Sequence, residues 1–210
     1  MDPVRIGDLI FTPGREPLLI AGPCVLESED DALFIADKCS ELSREFGFLY
    51  IFKSSYLKDN RSSVDSYTGP GLETGLRILE RVRDESGAPV LTDVHCREEA
   101  APAAEVCDIL QIPAFLVRQT RLILAAAAAG KPLNLKKGQF LSPEDMHNAV
   151  AKARAGGASG VLVTERGSSF GYNNLVVDMT AFSRMRAAGA PVIFDATHSL
   201  QLPGGLGDRS

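Results

Sequence analysis

Seven short apolar runs alternate with amphipathic segments along the chain, and polar loops with Gly or Pro breaks separate them. Apolar strands that alternate with helices form a parallel sheet covered by those helices, which predicts an α/β fold. The nearest complete architecture with this repeat is the (β/α)8 TIM barrel. The predicted strands are Leu18–Ala21, Phe48–Phe52, Val90–Thr92, Asp108–Leu110, Leu133–Leu135, Gly160–Val163 and Val192–Phe194.

A closed barrel of this type needs one strand more than the predicted seven. An open barrel would leave two edge strands facing a gap, which favours aggregation or pairing with a partner. Because residues 206–210 read as a loop, we expect the eighth strand to lie beyond Ser210 in a longer polypeptide. Residues 1–210 would then form one incomplete barrel domain, in which residues 1–16 supply an N-terminal β-hairpin that caps one end.

The first long helix carries its own start signal and a predicted buried face. Ser28 precedes it and Asp31 follows three residues later, a pattern typical of a helix N-terminus. Apolar side chains recur at helical spacing further along the segment. We therefore expect the buried face to consist of Ile35, Cys39, Leu42 and Phe46.

Charge and composition exclude several functional classes. The 210 residues are 45% hydrophobic and 23% charged, as in ordinary soluble proteins, and the net charge of −5 argues against nucleic acid as a partner. The N-terminus lacks a signal-peptide pattern, and the longest apolar run, Leu122 to Ala129, is too short to span a membrane. We expect a cytoplasmic protein without a membrane partner, in which the four cysteines are free thiols.

Polar residues of the kinds found in active sites follow all seven predicted strands. In a β/α barrel the carboxyl ends of the strands meet at one face, so these residues should collect there. Lys53, Lys58, Lys136 and Arg166 would repel one another unless a multiply charged anion lay between them, which predicts a bound phosphate, carboxylate or both. Taken singly, each segment has a structural alternative: a helix cap, a buried amide or a solvated chain end. The segments are 22–24, 52–63, 93–95, 111–113, 136–139, 164–167 and 195–198.

The loop that follows the second strand has the composition of a phosphate site. Residues 52–63 contain two lysines, one arginine, one asparagine and four serines. Arg61 can bind two phosphate oxygens at once, and hydroxyl and amide groups fix the orientation of a ligand. The alternative is a solvated polar loop without a ligand.

Cys24 and His198 suggest a metal site at the same face. A thiolate and an imidazole are good ligands for a borderline divalent ion such as zinc or iron. They make only half of a site, and His147 lies in a predicted helix away from the strand ends. The alternative for Cys24 is a small buried residue, as free cysteines often are.

The order of the motifs closely resembles that of 3-deoxy-D-manno-octulosonate 8-phosphate (KDO8P) synthases over nearly the whole chain. In the loop after the second strand, the pattern Lys-Ser-Ser-x-x-Lys-x-Asn-Arg-Ser-Ser begins at Lys53. The remaining motifs are Ala21–Ser28, Thr92–His95, Leu110–Thr120, Asn134–Phe140, Thr164–Tyr172 and Phe194–Gln201. As an ordered series, these motifs are highly specific.

The resemblance implies a cytoplasmic enzyme of lipopolysaccharide biosynthesis that condenses phosphoenolpyruvate (PEP), D-arabinose 5-phosphate and water to KDO8P and phosphate. It implies that PEP is held by Lys58, Gln111, Lys136, Arg166 and His198. The sugar phosphate would be held by Asn60, Arg61 and Ser62, with Phe115 and Arg118 reaching the site of a neighbouring subunit in a homotetramer. The implied catalytic residues are Lys53, near the PEP carboxylate or the reaction centre, Asp93, His95 and His198.

The resemblance also implies a divalent metal and no organic cofactor. Family members that need a metal carry cysteine where the others carry asparagine, and Cys24 places this chain with the metal users. Zinc, iron or manganese would be bound by Cys24 and His198. The family's two further ligands, a glutamate and an aspartate, belong to the eighth strand and its loop, beyond Ser210.

Three other interpretations remain open. The related 3-deoxy-D-arabino-heptulosonate 7-phosphate (DAHP) synthases use erythrose 4-phosphate, but they usually carry a Lys-Pro-Arg-Thr-Ser loop where this chain has Asn60–Ser63. A Schiff-base aldolase would use a desolvated lysine at a strand end. A fragment that binds anions without catalysis is the third, and only the missing eighth strand favours it.

Overall fold

The computed structural model describes residues 1–203, and they form one parallel α/β sheet with helices packed against it. Residues 206–210, which we predict to be a loop, lie outside the described residues. The strands are β1 Val4–Ile6, β2 Leu9–Phe11, β3 Leu18–Ala21, β4 Leu49–Lys53, β5 Val90–Asp93, β6 Ile109–Ile112, β7 Leu133–Lys136, β8 Val161–Glu165, β9 Ser168–Ser169, β10 Leu175–Val176 and β11 Val192–Phe194. The helices are α1 Glu29–Phe46, α2 Leu72–Ser86, α3 Arg97–Val106, α4 Thr120–Ala128, α5 Met146–Ala155 and α6 Ala181–Arg186.

All seven predicted strands are present, and they pair in parallel in the order β3-β4-β5-β6-β7-β8-β11. This arrangement confirms the α/β class and is that of a TIM-like barrel. In the described part of the chain, β3 and β11 each pair on one side only, and their side chains are half-buried or exposed. The eighth strand falls outside these residues and stays a prediction.

The inner face of the sheet changes from apolar to polar along each strand. Since side chains alternate between the two faces, residues two apart share a face. At the start of the strands, Ile51, Leu91, Ile109 and Leu162 pack together with side chains of the β1–β2 hairpin. At the carboxyl ends the same face carries polar and charged side chains, so one end of the barrel interior is filled and the other is a polar site. Whether the hairpin acts as a cap stays a prediction.

The buried face of α1 differs from the prediction. Ser28 accepts the backbone N–H of Asp31 at 3.1 Å, as expected, but the buried residues of the helix are Ala32, Ala36, Ser40 and Ser43. Leu42 is 46% exposed and Phe46 is 66% exposed. The helix packs mainly through its small side chains, which allow close approach to β4 and α2. Of the predicted face, Ile35 and Cys39 are half-buried and pack against the core, whereas Leu42 and Phe46 stay outside.

Within residues 1–203, no helix is both long and apolar enough to cross a membrane. The longest, α1, has 18 residues and is rich in acidic and basic side chains.

Candidate active site

The carboxyl ends of the strands surround a cavity of about 560 Å³. Eleven of the fourteen predicted site residues line it: Cys24, Lys58, Asn60, Arg61, Ser62, Asp93, Gln111, Phe115, Lys136, Arg166 and His198. Ser66, Gln139 and Gln201 also line the cavity, although our sequence analysis assigned them no role in the site. The prediction that the strand ends meet at one site is therefore confirmed.

Three predicted site residues do not line the cavity. Lys53 is half-buried at the end of β4. The ring of His95 packs edge-on against Tyr56, with 5.9 Å between ring centroids. Arg118 is exposed beyond the short 3-10 helix Ala114–Leu116, so a single chain gives it no contact with its own cavity.

Asp93 is the centre of a buried hydrogen-bond cluster on the cavity floor. Its Oδ2 accepts from the hydroxyl of Ser55 at 2.5 Å and from the ammonium of Lys58 at 3.1 Å. Its Oδ1 accepts from the amide of Gln111. Burial by itself would raise the pKa of Asp93, but the nearby lysines, led by Lys53, hold it well below its usual range. Asp93 is thus an anion that fixes the position of Lys58.

A chain of side-chain hydrogen bonds across neighbouring strands orients Gln111. Thr164 donates its hydroxyl to Asn134 Oδ1 at 2.7 Å, and Asn134 donates its amide to Gln111 Oε1 at 2.8 Å. The carbonyl oxygen of Gln111 is thereby occupied, and its amide nitrogen faces Asp93. All these groups are buried, so each donor has one acceptor and the direction of the chain is fixed.

Asp195 organises the opposite side of the cavity. Its Oδ2 accepts from Lys136 Nζ at 2.7 Å and lies 2.8 Å from His198 Nδ1. Burial would raise the pKa of Asp195, but the His198 hydrogen bond and the charge of Lys136 lower it overall. Asp195 also accepts the backbone N–H of His198, so the helix-cap alternative holds as well. One carboxylate therefore positions a lysine and an imidazole together.

Arg166 lies between these groups, and part of its guanidinium is free to donate hydrogen bonds to a ligand. Its Nη2 donates to the carbonyl of His198 at 2.9 Å and to Gln201 Oε1 at 3.2 Å. Its Nε and the Oε1 of Gln139 are buried, and neither has a hydrogen-bond partner among the described residues. Both side chains line the cavity and are less than 8% exposed. A bound anion with polar substituents would satisfy such groups.

The charge of the cavity floor is only partly balanced. Lys53, Lys58, Lys136 and Arg166 are cationic, and Asp93 and Asp195 neutralise two of them, which corrects our expectation that an anion alone would relieve the repulsion. Among these six side chains an excess of two positive charges remains, and a Cys24 thiolate at the same cavity would reduce it to one. Burial and the neighbouring ammonium groups lower the pKa of Lys53 to about 8, although Asp93 opposes the shift. The floor is suited to a dianion.

Cys24 is exposed at the cavity and faces His198. Its sulfur lies 3.6 Å from His198 Nε2, so it is not the small buried residue of the alternative interpretation. The hydrogen bond to His198 and the lysines Lys58 and Lys53 lower the pKa of the Cys24 thiol to about 6. Because Asp195 holds Nδ1 of the imidazole, Nε2 is directed at the sulfur, the orientation that second-shell carboxylates give to metal-binding histidines.

Two glycines allow the loops to approach closely enough to build this geometry. A Cβ on Gly22 would overlap the carbonyl of Lys53, and the segment that follows is held by a 2.8 Å hydrogen bond from Ser54 to the carbonyl of Pro23. A Cβ on Gly75 would overlap the side chain of Tyr56, which is fully buried. The Cys24 loop and the loop after β4 are therefore seated against rigid elements.

The two-residue alternation at the strand ends is the signal for residues that the sequence analysis did not assign. Asn134 lies two residues before Lys136 on the same face of β7, and Thr164 of β8 lies two residues before Arg166, which directly follows that strand. A search for polar residues at this spacing would have found them. Nothing in the local sequence identifies Ser55 as a partner of Asp93, since that contact depends on the approach of two loops.

No group of three or more His, Cys, Asp or Glu side chains that could hold a metal occurs in residues 1–203. Cys24 and His198 nevertheless fit a metal by their chemistry: a thiol with a lowered pKa and an oriented imidazole. All four cysteines are free.

Comparison with known proteins places these features in one family. The model of the DAHP synthetase I family matches residues 3–209. Three similar proteins are named 2-dehydro-3-deoxyphosphooctonate aldolase. The protein from Trichlorobacter lovleyi is 56% identical over 207 residues, which cover 99% of this chain and 76% of the relative. The protein from Cyanothece sp. is 57% identical over 203 residues, which cover 97% of this chain and 74% of the relative. That from Acidithiobacillus ferrooxidans is 58% identical over 192 residues, covering 91% and 68%.

Proposed function

Because this chain belongs to the DAHP synthetase I family, with relatives named 2-dehydro-3-deoxyphosphooctonate aldolase, we propose that it condenses PEP with D-arabinose 5-phosphate and water, giving KDO8P and phosphate. The relatives' names describe this product, and their identity to this chain exceeds 50% over nearly its whole length. The observation that carries the proposal is the cavity itself, in which a dicationic floor lies below the Asn60-Arg61-Ser62 loop.

PEP occupies the cavity floor in this proposal. Its phosphate contacts Lys136 and Arg166, and its carboxylate is turned towards Lys53 and Lys58, with Gln111 alongside. Asp195 and Asp93 keep Lys136 and Lys58 in place before substrate arrives, so their positions need little rearrangement. The Arg166 Nε supplies a further donor.

Arabinose 5-phosphate lies above PEP, with its phosphate at the mouth of the cavity. Asn60, Arg61 and Ser62 line this mouth. Arg61 is anchored through Nε, which donates to the carbonyl of Tyr67 at 2.9 Å, and its outer nitrogens are directed to the ligand. The phosphate at the mouth and the PEP below place the aldehyde carbon over C3 of PEP.

The reaction forms a bond between C3 of PEP and the aldehyde carbon, and water adds at C2. The resulting hemiketal phosphate then breaks its C2–O bond to phosphate and leaves the ketone of KDO8P. Both substrates are anionic, so cations must hold them together before the carbons meet. The proton that the water loses balances the one that the aldehyde oxygen gains as it becomes a hydroxyl. Asp93, which holds Lys58, and His95, behind the cavity wall, support this transfer.

We propose that Cys24 and His198 hold a divalent ion, of zinc, iron or manganese. Such an ion would supply Lewis acidity to orient the aldehyde or the water. Its further ligands would be a glutamate and an aspartate from the eighth strand and its loop. The half-buried edges of β3 and β11 support an added parallel strand between them.

We further propose a cytoplasmic homotetramer. Phe115 is 54% exposed at the mouth of the cavity, and Arg118 is exposed beside it. Both side chains are therefore available to contact a neighbouring subunit at its active site.

The test is phosphate release from PEP by the full gene product, with arabinose 5-phosphate or erythrose 4-phosphate as acceptor. We expect release with arabinose 5-phosphate and little with erythrose 4-phosphate. Release with erythrose 4-phosphate alone would overturn the reading of residues 60–63, and borohydride trapping of a substrate adduct would favour a Schiff-base aldolase. PEP binding without release under either condition would favour an anion-binding protein.

Replacing Arg61 by alanine should selectively weaken the binding of the sugar phosphate. Loss of a charge-assisted contact costs about 1.5–3 kcal/mol, so KM for arabinose 5-phosphate should rise about 10- to 100-fold. KM for PEP should stay close to its normal value, because Arg61 lies at the mouth and not on the floor. Arg77→Ala, at an exposed site on α2, is the control. A larger rise in KM for PEP than for the sugar would contradict this placement.

Activity should fall in alkaline solution as Lys53 loses its proton. Its pKa is lowered to about 8 in the folded protein, so kcat/KM for PEP should fall about tenfold per pH unit above pH 8. Lys53→Arg keeps the charge and should remove this limb of the profile.

Unfolding does not explain such a loss. The unfolded protein keeps Lys53 protonated up to a pKa of about 10.5, so it binds more protons than the folded protein between pH 8 and 10.5. The contribution of Lys53 to the free energy of unfolding therefore rises over this window. An alkaline limb unchanged in Lys53→Arg would assign it to another group.

A further inference from the structure

Lys137 and Glu165 form a buried ion pair that the proposed reaction does not use. Each side chain is 1% exposed, and Lys137 Nζ lies 3.5 Å from Glu165 Oε1. Their sequence neighbours, Lys136 and Arg166, line the cavity, whereas Lys137 and Glu165 do not. Lys137 directly follows β7 and Glu165 is the last residue of β8, so the pair is buried next to the two cations and away from the cavity.

The ammonium of Lys137 joins the loops that follow β7 and β8. Besides Glu165, it contacts Ser168 Oγ at 3.1 Å, the carbonyl of Gly167 at 3.3 Å and that of Gly138 at 3.4 Å. The backbone N–H of Lys137 donates to the carbonyl of Thr164 at 2.8 Å. Through these contacts the Lys137 side chain fixes the distance between its own backbone, directly after Lys136, and Gly167, directly after Arg166.

Glu165 extends this network to the end of β11. Its Oε1 accepts the backbone N–H of Gly167 at 2.6 Å, which fixes the turn directly after Arg166. Gly167 has φ +94°, a conformation that favours glycine. The backbone carbonyl of Glu165 accepts from Asp195 N at 2.9 Å, and Asp195 is the partner of Lys136. The ends of three strands are thus connected behind the cavity.

A buried ion pair is a costly way to stabilise a fold, because both charges lose their hydration and apolar residues of equal volume often serve as well. Burial lowers the pKa of Lys137, and the Glu165 carboxylate opposes the shift. What an ion pair provides, and an apolar pair does not, is a fixed direction and length of contact. Here that contact lies next to the two cations that would bind phosphate.

We propose that Lys137 and Glu165 are positioning residues that set the spacing and orientation of Lys136 and Arg166 for the phosphate of PEP. This inference rests on the proposed function and deepens it. Neither side chain touches substrate; they act through the backbone of their neighbours. A displacement of about 1 Å in a binding group can cost about 10²-fold in rate, so a loosened pair should be measurable.

The test compares Lys137→Met with the double variant Lys137→Met/Glu165→Gln, in which no unpaired charge is buried. We expect both to lower kcat/KM for PEP about tenfold or more, with KM for arabinose 5-phosphate changed less than about twofold. Calorimetry should also show weaker PEP binding. The control Leu79→Ala removes a fully buried side chain of α2 and should lower thermal stability without a selective loss for PEP.

Two results would overturn the inference: an unchanged kcat/KM for PEP in the folded variants, or recovery of the wild-type kcat/KM in the double variant. Recovery would mean that the pair serves charge balance alone. Should Lys137→Met fail to fold, the double variant carries the test. If the unmodified enzyme releases no phosphate from PEP, the proposed function fails, and binding of inorganic phosphate to wild-type and double-variant protein decides the positioning role separately.

Discussion

Replacing Arg166 by glutamine is expected to lower kcat/KM for PEP by about 10²–10³-fold, which corresponds to about 2.7–4 kcal/mol of transition-state stabilisation. Arg166 is 6% exposed, lines the cavity and holds a buried Nε without a partner among residues 1–203. It lies where charge must be stabilised as the C2–O bond to phosphate breaks. Glutamine keeps a donor near His198 and Gln201 but removes the charge.

Steady-state kinetics with PEP varied would measure this effect, and Arg186→Gln on the exposed side of α6 is the matched control. Thermal unfolding should show little change, since burial lowers the pKa of Arg166 and its charge is a cost to the fold. A loss confined to KM for the sugar phosphate would move Arg166 from the PEP site to the acceptor site. A loss below tenfold would remove it from the proposed phosphate contacts.

The positions of the strands and the residues at their ends could be predicted from sequence because both follow from short-range pattern. An apolar strand followed by a polar loop is visible in a few residues, and the parallel fold brings every carboxyl end to one face. Lys136 and Arg166 are 30 residues apart in sequence, yet they line one cavity for this reason alone.

The pairing within the site could not be predicted, because it depends on register and on the contacts of loops. Asp195 could be read as a helix cap, and the structure shows that it also holds Lys136 and His198. His95 follows Asp93 by two residues but packs against Tyr56 and Glu99 instead of lining the cavity. The chain leaves strand geometry after Asp93, so the alternation that would place both on one face no longer applies.

The prediction of which residues of α1 are buried was wrong in part, for a different reason. Periodicity identifies which residues share a face but not which face meets the sheet. Small residues at positions 32, 36, 40 and 43 also recur at helical spacing, and this stripe is the one that packs. The larger apolar stripe is buried only in part, since Ile35 and Cys39 pack against the core while Leu42 and Phe46 are exposed.

Replacing Cys24 by asparagine is expected to abolish sensitivity to chelators. At neutral pH the Cys24 thiol, with its pKa lowered to about 6, is mostly the thiolate that a metal binds, and His198 Nε2 lies 3.6 Å away. An asparagine amide is a poor ligand for zinc or iron. The unmodified enzyme should lose about 10²-fold or more of its activity on chelation and recover it with zinc, iron or manganese.

Metal content provides a readout that does not depend on activity. The purified wild-type protein should carry close to one divalent ion per chain and Cys24→Asn almost none, whereas Cys96→Asn, at an exposed cysteine outside the cavity, should keep it. Equal metal content in the Cys24 variant would mean that other residues hold the ion. Chelator sensitivity that persists in Cys24→Asn would contradict the assignment of Cys24 as a metal ligand.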